Sequence, residues 1–394
     1  MMRPKPLDGI RILDLTRLLP GPLASLHLAD MGADVIKIED PQTGDYARTL
    51  GPRSKVHTWL FLMANRNKRA LRLDLKRTAG RDAFLDLAKD TDVIVEGFRP
   101  GVVNRLGVDY DTVRAINPRI VYCAITGYGQ NGPYRDHAGH DLNYCGYAGI
   151  SDQIGPRGGA PVIPNFQIGD LAGGSLSAVM GILAAIVDAQ RSGEGRYVDV
   201  AMTDCTLAHA LFPLISLLDS GHTQPRGEDF LTGGLPCYAI YETADHRHMA
   251  VAALEEKFWM LCCKTLDRPD LAERYGVFDT EAESVRKEVA AIFKTRTQGE
   301  WVQRFKDVDC CVTPVLTLAE TMHNEQIQAR NMVVTAEHPE DGSVTQFAFP
   351  VKFSDFEFSI DRHAPATGEH SEEILAQAGF NAERIRKLRA DGII

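Results

Sequence analysis

The amino-acid sequence predicts an α/β protein whose main sheet is parallel and covered by helices on both faces. Short β-branched runs alternate with helical segments through the first 130 residues, and this alternation is typical of strand–helix–strand units. The length of 394 residues accommodates two domains. The pattern changes near Gln224, where paired strands precede long helices, which indicates a second, smaller domain.

The predicted elements follow in order along the chain. Strands are predicted over residues 10–15, 35–38, 92–95 and 120–125, with helices over 21–31, 78–87, 170–190 and 203–218. A strand pair over 238–241 and 248–253 and helices over 256–267 and 281–307 follow, and the chain ends in helices after Ser371 and near Ala382. We therefore predict a large Rossmann-like domain (1–222 and 312–394) and a small α+β domain (223–311).

The turn after the first strand has no dinucleotide-binding fingerprint. It reads Thr-Arg-Leu-Leu-Pro-Gly-Pro over residues 16–22, without the G-x-G-x-x-G spacing that lets a backbone approach a pyrophosphate. A bound dinucleotide is therefore not expected. The carboxyl edge of the sheet remains a suitable site for a nucleotide-bearing ligand.

Composition excludes several classes of partner. The net charge of −10 leaves no basic surplus for nucleic acid. The N-terminus lacks an apolar signal-peptide core, and the apolar window 176–189 is too short and too rich in Gly and Ser to span a bilayer. We expect a cytoplasmic protein with no membrane or nucleic-acid partner. The eight cysteines show no zinc or disulfide spacing.

His140 and Asp170 are the main candidates for chemistry. A histidine and a carboxylate without a metal or nucleotide motif nearby favour proton transfer, provided that both side chains face one pocket. Asp170 begins an apolar helical stretch, so a helix N-cap is the alternative interpretation. Its neighbouring glycines would let a ligand approach closely, and the carboxylate could act as base or nucleophile.

Other polar residues have structural interpretations beside the functional ones. His140 can be a structural histidine, and His137-x-x-His140 with Asp141 hints at a metal site, although no further ligands have recognisable spacing. Glu255 and Glu256 can be a solvated pair in the first turn of a helix. The Gly-Gly-Ser-Leu-Ser run at 173–177 lacks the closing glycine of a nucleophile elbow.

Assembled, these segments resemble the family III CoA-transferases and, among them, the alpha-methylacyl-CoA racemases. The resemblance covers nearly the whole chain, and its motifs lie at residues 7–14, 32–39, 65–76, 95–101, 233–238 and 311–316. The Gly-His-Asp-Leu-Asn-Tyr motif at 139–144 matches the racemase pattern, where formyl-CoA transferases tend to carry Tyr-Glu. Asp170 matches both the nucleophilic aspartate of the transferases and a base of the racemases.

The resemblance implies the remaining site residues and partners. Glu255 matches a glutamate that is paired with the racemase histidine. CoA is expected along the N-terminal domain, at Leu18, Lys37, Leu73, Leu75, Lys76, Gly97, Phe98 and Arg105. Family members form interlocked homodimers with each active site between domains of two subunits. No metal or organic cofactor is implied, since CoA is part of the substrate.

One position departs from the family pattern. Asp40 stands where several relatives place an arginine toward the CoA phosphates. Lys37, Arg66, Lys68 or Arg69 are the cations that can supply the missing charge according to the sequence.

Two reactions follow from the resemblance. In the first, His140, acting with Glu255, and Asp170 interconvert R and S 2-methylacyl-CoA by 1,1-proton transfer through an enolate, stabilised by backbone N–H groups near Asp170 and its glycines. In the second, Asp170 attacks a thioester and passes CoA to another carboxylic acid through an anhydride. An acyl-CoA-binding protein without turnover is a third possibility.

Overall fold

The computed structural model describes residues 4–277 and 279–394, and the side chain of Asp279 lies outside the description. Its strands are β1 (Arg11–Asp14), β2 (Asp34–Glu39), β3 (Arg69–Arg72), β4 (Val93–Glu96), β5 (Val121–Thr126), β6 (Tyr197–Ala201), β7 (Tyr238–Glu242), β8 (His248–Ala252), β9 (Val312–Pro314), β10 (Val333–His338) and β11 (Gly342–Phe347).

Its α-helices are α1 (Pro20–Asp30), α2 (Trp59–Asn65), α3 (Thr78–Ala88), α4 (Val102–Leu106), α5 (Tyr110–Arg114), α6 (Asp141–Tyr147), α7 (Ile150–Gln153), α8 (Ser177–Ser192), α9 (Met202–Leu207), α10 (Leu211–Ser220), α11 (Glu256–Thr265), α12 (Asp279–Phe293), α13 (Gln298–Phe305), α14 (Leu318–Thr321), α15 (Glu325–Ala329), α16 (Ser371–Gln377) and α17 (Ala382–Ala390). Two 3₁₀ helices (Tyr46–Arg48 and Pro269–Arg274) and two π-helical segments (Gly169–Leu176 and Phe230–Gly234) complete them.

The main sheet is six-stranded, in the order β3-β2-β1-β4-β5-β6, and each neighbouring pair is parallel. The direction of strand order reverses between β1 and β4. In open parallel sheets such a reversal opens a crevice at the carboxyl ends of the strands, where ligands bind. The predicted α/β fold class is confirmed.

Alternate residues of the central strand feed two cores. Ile12 packs on the side of α1 and α8, whereas Leu13 packs on the side of α3, α16 and α17. Both side chains have no exposed surface. Helices on both faces explain why the strands read as apolar runs.

The most apolar segment is a core helix. Gly169–Ser192 has the length and composition of a membrane-spanning helix, a test that core helices of globular proteins also pass. Ala178, Ile182, Ala185 and Ile186 of α8 are buried in the core beside β5. Packing within the domain therefore accounts for the buried face of this helix, whereas Met180 and Val187 on it are exposed.

The two edge strands β3 and β6 were not predicted. β3 carries Arg69 and Arg72 around Ala70 and Leu71, a composition that strand propensity disfavours. Arg69 is nevertheless buried, because Asp34 and Glu373 neutralise it at 2.6 and 2.9 Å. This strand depends on partners distant in sequence, which local patterns do not reveal.

The chain divides into two compact units. The first comprises the described part of Met1–Ala148, with Asn165–His209 and Gln326–Ile394, and the second comprises Gly149–Pro164 and Ala210–Glu325. The second unit contains the antiparallel sheet β7-β8-β9, backed by a core of α11, α12 and α13. The predicted strand pair is β7–β8, in antiparallel register.

The unit boundaries differ from the predicted 222 and 312. Strand β9 was assigned to the large domain, but it pairs with β8 and belongs to the second unit. The predicted helix 203–218 is broken into α9 and α10, and the division falls between them, at His209. The predicted helix 281–307 is likewise two helices, α12 and α13.

Candidate active site

A cleft of about 470 Å³ lies in the first unit, at the carboxyl edge of the main sheet. Three loops that leave strands line it: residues 16–21 after β1, 97–100 after β4 and 125–128 at the end of β5. His140 and Asp170 line the same cleft. The structure therefore brings together the two residues that the sequence singles out.

His140 is the N-cap of α6, with extended backbone angles (φ −135°, ψ 177°). Its backbone N–H donates to Oδ1 of Asn143 at 3.1 Å, and its carbonyl accepts from the N–H of Asn143 at 2.8 Å. These reciprocal bonds fix the backbone while the residue stays exposed. The imidazole is thus presented from a rigid helix end.

Asp170 lies in the first turn of the π-helical segment Gly169–Leu176, whose N-cap is Ile168. The prediction that Asp170 itself caps a helix is therefore wrong. Such π-helical turns are rare and occur frequently at functional sites. The segment is tied to the loop after β1, because Oγ of Ser175 donates to the carbonyl of Pro20 at 2.6 Å.

Asp141 links the two candidate bases. It is the first residue of α6, and its Oδ1 accepts the backbone N–H of Asp170 at 3.0 Å. Burial, and next the negative charge of Asp141, raise the pKa of Asp170 to about 6. Asp170 can therefore gain and lose a proton close to neutral pH.

The glycines after Asp170 serve packing. A Cβ on Gly173 would lie 2.6 Å from Oγ1 of Thr206, and one on Gly174 would lie 2.9 Å from Cβ of Pro20. Gly173 and Gly174 therefore make room for neighbouring protein atoms, and not for a ligand as the sequence led us to expect. The backbone N–H of Asp170 is also engaged by Asp141, so it is not a free donor for an enolate.

A buried glutamate shapes the turn after β4. Glu96 accepts the backbone N–H of Phe98 at 2.6 Å, and burial raises the pKa of Glu96 to about 8. Gly97 and Phe98, both predicted CoA contacts, line the cleft from this turn.

The loop after β1 rests on buried charges. Leu18, a predicted CoA contact, has φ +67°, and its N–H donates to Asp45 at 2.9 Å. Asp45 also pairs with Lys37 at 2.7 Å, with both side chains fully buried. Lys37 is therefore an internal cation that supports the loop, which corrects its assignment as a CoA contact.

The other cations proposed for the phosphates are also internal. Arg66 pairs with Asp30 at 2.7 Å, Lys68 with Asp14 at 3.3 Å, and Arg69 with Asp34 as described above. All three cations are buried. None of them is available to a ligand at the surface.

The remaining predicted contacts lie on the first unit. Leu73, Leu75 and Lys76 follow β3 at the carboxyl edge of the sheet. Leu73 is buried in the core, so only its backbone can meet a ligand. Lys76 is exposed and pairs with Asp40 at 2.7 Å, and Arg105 is exposed on α4.

Glu255 belongs to the second unit. It is the exposed N-cap of α11, and its carbonyl accepts the N–H of Trp259 at 3.0 Å. Its pairing with His140 stays a prediction.

Sequence reasoning missed several residues of the cleft. Arg17, Arg99 and Arg135 line it, together with Tyr128. His137, which the sequence suggested only as part of a metal site, also lines it. Arg17 and Arg99 lie in the loops that follow β1 and β4, each three residues after the last residue of its strand. Their position at the carboxyl ends of adjacent parallel strands is the signal that would have identified them.

Comparison with known proteins agrees with this architecture. Residues 7–371 match the model of CoA-transferase family III. The chain is 35% identical over 390 residues to "Alpha-methylacyl-CoA racemase" of Homo sapiens, covering 98% of this chain and 97% of the relative. It is 31% identical over 398 residues to "Succinyl-CoA:glutarate CoA-transferase" of Mus musculus, covering 99% and 90%.

A solved structure extends the agreement to three dimensions. The crystal structure of a CAIB/BAIF family protein from Brucella suis superimposes with a TM-score of 0.82 at 28% identity, covering 95% of this chain and 100% of that one. Racemases and CoA-transferases both occur among the relatives, which are enzymes acting on acyl-CoA. The chain belongs to CoA-transferase family III.

Proposed function

We propose that this protein is an acyl-CoA racemase that interconverts R and S 2-methylacyl-CoA thioesters. The observation that carries the proposal is the placement of His140 and Asp170 in one cleft, with the pKa of Asp170 raised to about 6 by burial. A racemase needs two acid–base groups that exchange roles, and a carboxyl group titrating near neutrality suits that requirement.

The thioester carbonyl acidifies the α-proton, because the resulting charge is delocalised onto the carbonyl oxygen. His140 removes the proton from one face, and protonated Asp170 returns a proton to the other face. The enolate collapses to the thioester of opposite configuration, and the roles reverse in the other direction. Glu255 is proposed to hold the imidazole, and no metal or cofactor takes part.

CoA transfer between carboxylic acids is the alternative. Relatives that carry transferase names match at 31% identity against 35% for the racemase, so a comparable likeness supports it. Asp170 would then attack the thioester carbonyl and expel CoA thiolate, leaving a mixed anhydride. CoA thiolate would next attack the Asp170 carbonyl of the anhydride, which releases the first carboxylate and leaves an aspartyl-CoA thioester. The second carboxylate would attack this thioester and expel CoA thiolate, and the thiolate would attack the new acyl carbon of the resulting anhydride, which forms the new acyl-CoA and frees Asp170.

Proton NMR in D₂O separates these reactions. The purified protein is incubated with (R)-2-methylacyl-CoA, with and without an added carboxylic acid. A racemase exchanges the α-proton for deuterium and erodes the enantiomeric excess without the acid. A retained α-proton, with CoA appearing on the added acid, would establish transfer instead.

We further propose that the protein is a homodimer. Helix α10 (Leu-Phe-Pro-Leu-Ile-Ser-Leu-Leu-Asp-Ser) contains no buried residue in the single chain, and Leu218 on it is 77% exposed. Contiguous apolar surface of this kind marks an interaction site. Sedimentation equilibrium checks the proposal: a dimer mass is expected for the wild type, and a monomer mass would contradict it. A cytoplasmic location likewise stays a prediction.

A further inference from the structure

Arg17 occupies an unusual place at the rim of the cleft. Its guanidinium carbon lies 4.9 Å from the ring centre of Tyr46 and 5.1 Å from that of Phe98. Nη1 donates to the hydroxyl of Tyr46 at 3.2 Å. Over residues 4–277 and 279–394, no carboxylate forms an ion pair with Arg17. Aromatic rings, not an opposite charge, therefore hold this cation.

The backbone on both sides of Arg17 is fixed from beneath. The carbonyl of Thr16 accepts a hydrogen bond from Nζ of the buried Lys37 at 3.0 Å. The N–H of Leu18 donates to Asp45 at 2.9 Å, and Leu18 has φ +67°, a left-handed conformation that is strained in a non-glycine residue. This strained, well-supported loop holds the base of the Arg17 side chain in place.

The nearby lysine is already neutralised. Asp40 binds Nζ of Lys76 at 2.7 Å. This hydrogen bond is the largest cause of the raised pKa of Lys76, and the positive charge of Arg17 acts in the opposite direction. Arg17 thus lies close enough to Lys76 for their charges to interact, and Arg17 is the one of these two without a protein counter-charge. Arg99 lies near Tyr144: burial raises the pKa of Tyr144, and the charge of Arg99 opposes that rise.

We propose that Arg17 binds a phosphate group of the ADP portion of CoA. The inference rests on the proposed function, because it requires an acyl-CoA substrate. Contact with the rings of Tyr46 and Phe98 restrains the guanidinium and leaves N–H groups free to donate to phosphate oxygens. Phe98 is itself a predicted CoA contact, so a CoA molecule that reaches Phe98 would lie beside Arg17.

The test compares two ligands on the purified full-length chain. CoA carries the phosphates of the ADP portion, whereas pantetheine lacks the ADP portion entirely. We expect Arg17→Gln to raise the Kd of CoA, measured by calorimetry, about 10-fold. The Kd of pantetheine, measured by ligand-observed NMR, should stay unchanged. Arg17→Lys should recover part of the CoA affinity, since it restores the charge without the planar fork.

Arg119→Gln is the matched control, because Arg119 is exposed and precedes β5 at the opposite edge of the sheet. It should leave both Kd values unchanged. An Arg17→Gln protein that binds CoA as tightly as the wild type overturns the phosphate role of Arg17 and leaves the proposed function standing. Equal weakening of CoA and pantetheine overturns the phosphate assignment and indicates a distorted loop. A wild-type protein that binds no CoA overturns the proposed function as well.

Discussion

Asp141 and Asp170 are joined by a hydrogen bond that couples the two halves of the candidate active site. Oδ1 of Asp141 accepts the backbone N–H of Asp170 at 3.0 Å, and Asp141 directly follows His140. One carboxylate thereby fixes the distance between two chain segments 29 residues apart and adds negative charge beside the second base. Asp141 therefore influences both the position of Asp170 and the pKa of its carboxyl group.

Asp141→Asn should therefore change the pH dependence of the reaction. The amide oxygen can still accept the N–H of Asp170, but the negative charge is lost. The pKa of Asp170, now about 6, should fall, although burial keeps it above the usual value. The acidic limb of kcat/KM moves to lower pH, because ionised Asp170 persists there. An unchanged limb would show that Asp170 does not titrate in catalysis.

Asp170→Asn should abolish racemisation and yet stabilise the fold above about pH 6. The folded pKa of Asp170 is raised above its unfolded value, so its ionisation destabilises the native state as pH rises through about 6. Asparagine has no such ionisation. Urea unfolding at pH 5 and pH 8 should show a larger gain for the variant at pH 8. Equal gains at both pH values would contradict the raised pKa.

Gly169→Ala should impair catalysis only by shifting the position of Asp170. An added Cβ would lie 3.1 Å from Oδ1 of Asp141 and 3.4 Å from Sγ of Cys145. This crowding would displace the Asp141 carboxylate that accepts the backbone N–H of Asp170. Displacement by a few tenths of an ångström should lower kcat about tenfold.

Gly146→Ala is the matched control within α6, where a Cβ meets nothing within 4 Å. It should keep full activity and gain about 0.5–1 kcal/mol from helix propensity. Equal activity of Gly169→Ala and Gly146→Ala would refute the positional argument.

Asp341 should be a stability residue. Its Oδ1 accepts three backbone N–H groups, from Lys55, Val56 and His57, and its Oδ2 contacts the His57 ring at 2.6 Å. His338 completes a cluster spaced closely enough for a metal ion, but both of its ring nitrogens already have backbone partners. The cluster is accordingly interpreted as a structural network.

Asp341→Ala leaves those buried donors without an acceptor, so we expect a loss of about 2–3 kcal/mol in the free energy of unfolding. The exposed Asp90→Ala should change it by less than about 0.5 kcal/mol. Burial notwithstanding, these hydrogen bonds hold the pKa of Asp341 below its usual range. The stabilisation is therefore present above the unfolded pKa and is lost as pH falls through the folded one. Denaturant titration of both variants at pH 7 and at about pH 2 checks this, because the loss falls below the unfolded pKa.

The sequence predicted what local patterns encode. The apolar runs of β1, β2, β4 and β5 and the motif at His140 needed no distant partner to be recognised. Lys37 was misjudged because its counter-ion Asp45, at 2.7 Å, is brought to it by folding of the loop. The π-helical turn at Asp170 and the Asp141–Asp170 bond depend on packing between separate segments. Local propensity carries no signal for such contacts.

The most direct measurement follows α-proton exchange of each enantiomer separately in His140→Ala and Asp170→Asn. If the two residues act on opposite faces of the α-carbon, both variants lose racemisation, yet each still exchanges one enantiomer, and the surviving enantiomers differ. Deuterium incorporation into separate samples of (R)- and (S)-2-methylacyl-CoA reports this directly. Loss of all exchange for both enantiomers in both variants would contradict the two-base account.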